Sequence, residues 1–115
     1  MLTFNLKKEW FEKIKSGQKT HEYREFKPYW QKRFEKFFNA DLSATKLRFG
    51  DEIVIVPSKY ITLVCGYAPI EDTEKSLVAK VKTIRLKWGL ETDLKIEKFV
   101  YDIEFELIKE SIKCD

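Results

Sequence analysis

The segment KFVYDIEFELI, residues 98–108, alternates apolar and polar side chains with a period of two. Phe99, Tyr101, Ile103, Phe105 and Leu107 fall on one side, and Asp102, Glu104 and Glu106 on the other. Only a strand laid with one face on a core and the other toward water satisfies that pattern. The chain must therefore build a sheet around this strand, with the three acidic residues predicted to point outward. Other segments supply partners. RFGDEIVIVPS sets a Gly50-Asp51 turn before the β-branched run Ile53 to Val56, which Pro57 is expected to end. YITLVCGY is a second apolar run that stops at Gly66. In the third, Leu77, Ala79 and Val81 are apolar at odd positions whereas Ile84 and Leu86 are apolar at even ones, so a residue near Thr83 is expected to be extruded as a β-bulge.

The N-terminal third reads differently. A short strand, LTFNL, precedes LKKEWFEKIKSG, in which Trp10, Phe11 and Ile14 share a helical face, Asn5 is placed to cap the start, and Gly17 is placed to take the left-handed conformation at the end. A second amphipathic helix is predicted over PYWQKRFEKFF, with Pro28 in its first turn and Trp30, Phe34 and Phe37 at helical spacing. Two early helices followed by strands define an α+β class on a curled sheet. The 115 residues, with 43% hydrophobic and 15% aromatic content, suit one core, so a single domain over 1–115 is expected.

Charge and cysteine usage narrow the function classes. Residues 1–39 carry ten Lys/Arg against five Asp/Glu (+5), and residues 40–115 carry twelve against fourteen (−2). A basic N-terminal third favours an anionic partner, nucleic acid being the commonest. Cys65 and Cys114 are far apart and the chain has a single histidine, so neither a disulfide framework, a zinc site nor another metal or cofactor is expected. No run approaches the roughly 18 apolar residues of a membrane span, and the default address is the cytoplasm.

The polar octet GQKTHEYR, residues 17–24, fits neither a simple turn nor an apolar-anchored strand. The Lys19 ammonium can meet a phosphate as a point charge, and the Arg24 guanidinium can fork onto a phosphate or a base edge. KTHEYREF is expected to form a strand leaving the glycine cap, on which Glu22 and Arg24 share one face and His21 and Tyr23 the other. Glu22 can then orient a cation, form a plain ion pair or accept a proton, and His21 is the alternative base. Tyr23, Tyr29 and Trp30 lie near in sequence, and Lys59, Tyr60 and Tyr67 are expected on loops at strand ends, where bases can stack on the tyrosines.

Taken in order, the short strand, the helix, the motif G-x-K-x-x-E-x-R present as Gly17, Lys19, Glu22 and Arg24, and the later Gly50-Asp51 turn opening a strand resemble the ASCH domain of the PUA-like superfamily, from about Leu2 to Leu107. The resemblance implies a small β-barrel with two N-terminal flanking helices, a cleft that gathers the motif's polar groups, and RNA binding or RNA-directed chemistry. On this basis the nucleic-acid-binding set is Lys19, Glu22, Tyr23, Arg24, Tyr29, Lys59, Tyr60 and Tyr67, with RNA or a nucleotide as partner. If the chain is an enzyme, Lys19 and Glu22 are the catalytic pair. One branch resembling this chain is a small acetylcytidine amidohydrolase with a lysine at the place of Lys19 and a threonine nucleophile three residues later. Glu22 stands there in this chain, and a carboxylate does not replace a hydroxyl in acyl transfer. A ribonuclease needs only a base and cationic stabilisation, which Glu22 or His21 and Lys19 or Arg24 can supply. A protein-interaction domain would instead expose an apolar patch.

Overall fold

The computed structural model describes residues 2–47, 53–69 and 71–108, with the side chains of 53–58 excepted. The expected Gly50-Asp51 turn, Phe49 and Cys114 lie outside the described residues. The elements are strand β1 (Leu2–Leu6), helix α1 (Lys8–Lys15), strand β2 (His21–Glu25), helix α2 (Pro28–Phe38), helix α3 (Ala44–Leu47), then strands β3 (Ile53–Cys65), β4 (Ser76–Trp88) and β5 (Phe99–Leu107). A 3₁₀ turn covers Gly89–Glu91. Among the described residues the strands form one sheet in the order β1-β3-β4-β5-β2, giving a mixed α+β fold.

Two compact units share this chain. The first takes Met1–Thr20, Ser58–Val81 and Phe105–Asp115. Within it β1 runs parallel to β3, Leu2 opposite Ile61 through Leu6 opposite Cys65, and the buried side chains include Phe4, Leu6, Phe11, Ile14, Ile61 and Leu63. Helix α1 buries Phe11 and Ile14, as its periodicity predicts, but the residue before its first turn is Lys7, with no side-chain cap. Asn5 is an exposed residue of β1 and caps nothing, because β1 extends to Leu6 and the helix starts two residues later. At the other end Gly17 takes φ +88°, and the amides of Gly17 and Gln18 donate to the carbonyls of Ile14 and Lys13. That turn is the left-handed stop a glycine provides.

The second unit takes His21–Pro57 and Lys82–Glu104. Helix α2 spans the expected segment and buries Phe34 and Phe38; Phe34 packs on Phe38 and Tyr101, and Leu42, Leu47, Ile84, Leu86, Val100 and Ile103 are fully buried in the same unit. Burying each large apolar side chain contributes about 1.5–3 kcal/mol against the entropy of ordering it. The buried Tyr101 hydroxyl donates to the Leu42 carbonyl at 2.8 Å, so burying the ring leaves its polar atom satisfied.

Strands β3 and β4 depart from the expected layout in instructive ways. Pro57 does not end a strand; β3 continues through it to Cys65. Proline is tolerated in extended chain where its missing N–H has no ladder partner, and the pairing of β1 begins only at Ile61, four residues further on. In β4 the buried positions are Ala79 and Val81, then Ile84 and Leu86. The buried phase slips by one residue around Thr83, between the part of β4 in the first unit and the part in the second.

Candidate functional site

Strand β2 pairs antiparallel with β5: His21 opposite Glu104, Glu22 opposite Ile103, Tyr23 opposite Asp102, Arg24 opposite Tyr101. Directly opposed residues share a face. Glu22 and Arg24 therefore lie with Tyr101 and Ile103 on the core side, and His21 and Tyr23 lie with Asp102 and Glu104 on the other.

On the core side Glu22 is 4% exposed and is hydrogen-bonded to the Arg24 guanidinium through its Oε2. Arg24 Nη1 also donates to the Tyr23 carbonyl at 2.9 Å. Its Cζ stands 5.3 Å from the centre of the Trp30 ring, and its side chain is 19% exposed. The guanidinium is thus anchored at one edge and stacked at its face. Trp30 continues the array in both directions, inward to Phe34 at 5.4 Å and outward to Tyr29 at 4.9 Å between ring centres. Tyr29 is 52% exposed, and the Arg33 guanidinium covers its ring at 4.3 Å. Tyr29 and Arg33 sit one turn apart on α2, the spacing that brings side chains together on a helix.

The other side of β2 holds an arrangement the alternation of β5 concealed. Asp102, expected to point outward into solvent, is 1% exposed. His21 of β2 and Lys87 of β4 stand against it. Its Oδ1 meets His21 Nδ1 at 2.6 Å, and Lys87 Nζ stands 4.0 Å from Oδ2, beyond hydrogen-bond reach. Among the described residues Oδ2 has no hydrogen-bond partner. The His21 side chain is 32% exposed. The His21 and Tyr23 rings lie 6.2 Å apart and nearly parallel. Burial first, then the negative charges of Asp102, Asp93 and Glu22, push the Tyr23 phenol up to about 12 against the opposing charge of Arg85, so it stays a protonated hydroxyl. Thr83 donates to Glu104 at 3.1 Å on the same face.

Lys19, Lys59, Tyr60 and Tyr67 belong to the first unit. Lys19 is half-buried, with Nζ 5.6 Å from the centre of the Trp10 ring, which Lys13 also approaches at 4.8 Å. Lys59 and Tyr60 are not on a loop, as expected, but inside β3, because that strand runs on through Pro57. Tyr67 is 90% exposed in the turn after Gly66, whose φ is +65°. Sequence reasoning missed Asp102 and Lys87. The available signal was an aspartate in the middle of a strand otherwise built from β-formers. Among the described residues no group of three or more His, Cys, Asp or Glu side chains could hold a metal, and no described helix is long and apolar enough to cross a membrane. No family model, curated protein or solved structure matches the chain.

Proposed function

We propose that the chain is an ASCH-type domain of the PUA-like superfamily that binds single-stranded RNA or a nucleotide, acting in the cytoplasm. The observation that carries this reading is the aromatic and cationic surface running from Arg33 and Tyr29 through Trp30 to Arg24. An exposed ring beside a guanidinium is what a base and its phosphate require, since bases stack on aromatic faces and phosphates pair with arginine. Tyr29 and Arg33 make first contact, and Arg24, held by Glu22 and Trp30, adds a fixed positive charge behind them without further ordering cost. Glu22 in this reading is a positioning residue. Its burial beside a guanidinium supports neither a nucleophile nor an acyl-transfer role, so the amidohydrolase reading gains nothing. Lys19, Lys59, Tyr60 and Tyr67 belong to the first unit and are binding candidates there in their own right.

The test is fluorescence anisotropy of a labelled single-stranded RNA across a salt series. Affinity should fall with salt with a logarithmic slope of about −0.7 for each phosphate neutralised, and Arg33→Glu should both weaken binding and flatten that slope. Binding that is independent of salt, or unchanged in Arg33→Glu, contradicts the reading. A second reading, RNA cleavage, is favoured by one observation only, the His21–Asp102 pair.

A further inference from the structure

We propose that His21 is a general base for RNA cleavage and that Asp102 is its positioning residue, so that the outer side of β2 carries a reaction and the core side a grip. The inference rests on the RNA reading for its substrate, and on the second unit alone for its geometry.

Asp102 is buried behind the imidazole while the imidazole itself reaches solvent. The 2.6 Å contact to the carboxylate favours the proton on Nδ1, and in the neutral ring that tautomer carries its lone pair on Nε2. A carboxylate that fixes tautomer and ring orientation from behind is the arrangement a histidine base needs. A purely structural ion pair is expected to satisfy both oxygens, because an unpaired buried acceptor costs about 1–3 kcal/mol. Asp102 leaves Oδ2 without a hydrogen bond among the described residues, and the nearest ammonium, that of Lys87, stays at 4.0 Å and partly exposed. The carboxylate is committed to the histidine, and Lys87 remains a cation on the same side. Tyr23, stacked beside the imidazole, is a phenol that keeps its proton.

The reaction follows from a base and a cation without a metal. His21 Nε2 takes the proton of a ribose 2′-hydroxyl as O2′ bonds to the adjacent phosphorus and the P–O5′ bond breaks. The departing 5′-oxygen takes a proton from water, and the hydroxide so formed is neutralised by the imidazolium. The products are a 2′,3′-cyclic phosphate and a 5′-hydroxyl, with charge and atoms balanced. The Lys87 ammonium offsets the charge that develops on the phosphoryl oxygens. Because β2 is the last strand in the sheet order among the described residues, an RNA strand laid along its outer edge can meet Arg24 on one side and His21 on the other, about 10 Å apart along the strand.

The experiment incubates the full chain with a labelled single-stranded RNA and with its 2′-deoxy counterpart, and measures binding and product in the same samples. The wild type should release a 2′,3′-cyclic phosphate end from the RNA and leave the deoxy strand intact. His21→Ala should lose turnover by a factor on the order of 10² to 10⁴ while still binding, and added imidazole should restore part of it. Asp102→Asn should lower kcat with KM unchanged. Binding with no cleavage, or cleavage undiminished in His21→Ala, overturns this inference and leaves the binding reading standing. Absence of binding in the wild type overturns the binding reading instead, and with it the substrate assigned here. Since His21 is partly exposed, its truncation tests the proposal even if the Asp102 variant fails to fold.

Discussion

The two sides of strand β2 carry ion pairs of opposite character. Glu22 and Arg24 form a pair in which the guanidinium is also hydrogen-bonded to the Tyr23 carbonyl and packed on Trp30. His21 and Asp102 form a pair in which one carboxylate oxygen has no hydrogen bond. Both carboxylates are buried within five residues of chain and their cross-strand partners. Burial alone does not assign a role. A pair stitched into its surroundings holds the fold and aims a cation outward, whereas a pair that spends a buried charge on orienting one ring is suited to chemistry.

Breaking the first pair should have the largest effect. Arg24→Ala leaves the Glu22 carboxylate buried without its cation and should cost about 3–5 kcal/mol of stability, measured by urea unfolding. The double variant Glu22→Leu, Arg24→Met should unfold close to the wild type, since an apolar pair of similar size avoids the uncompensated charge. A small loss in Arg24→Ala would remove the structural half of the comparison.

Next in size is the outer rim of the grip. Tyr29→Ala should weaken RNA binding by about 1–3 kcal/mol, the usual worth of one stacked base. Its effect on unfolding should be small, because the ring is half exposed. Equal affinity in Tyr29→Ala would shift attention to the exposed Tyr67 of the first unit.

The second pair should respond more gently in stability than the first. Asp102→Asn keeps the shape, removes a charge whose second oxygen is already unpaired, and should cost about 1 kcal/mol in urea unfolding. A loss as large as that of Arg24→Ala would make both sides of β2 equally structural and erase the distinction.

The smallest effect concerns alkaline pH. Tyr23 has a phenol whose folded value, about 12, lies above its ordinary one of 10.0. A raised value means that its contribution to stability is complete below pH 10 and is lost as pH rises from there through 12. Tyr101, buried more deeply and raised further, acts in the same direction. Thermal unfolding of Tyr23→Phe should therefore fall less steeply above pH 10 than that of the wild type, and identical slopes would show that Tyr23 contributes nothing there.

How much of this could be read from the sequence depended on whether a feature was local. Helix α2 was legible because Trp30, Phe34 and Phe37 recur at helical spacing behind Pro28, and the structure places its bounds at Pro28 and Phe38. The sides of β2 were legible once it was taken as a strand, since alternation separates Glu22 and Arg24 from His21 and Tyr23 without further information. The extent of β3 was not, because Pro57 signals a stop unless one knows where β1 begins to pair. Asp102 was misread for a related reason. Alternation assigns a side chain to a face but does not say what covers that face, and the cover comes from His21, eighty-one residues away. Its pairing with the single histidine is a product of sheet order, and nothing in either local segment encodes it.

Photo-crosslinking of a single-stranded RNA carrying 4-thiouridine to the wild-type chain, followed by peptide mapping, locates the surface that meets RNA. Binding through the Arg33–Tyr29–Trp30–Arg24 surface predicts crosslinks in α2 at Tyr29 or Trp30 that are lost in Arg33→Glu. Crosslinks confined to the first unit, at Trp10, Tyr60 or Tyr67, with α2 unmarked, would contradict it.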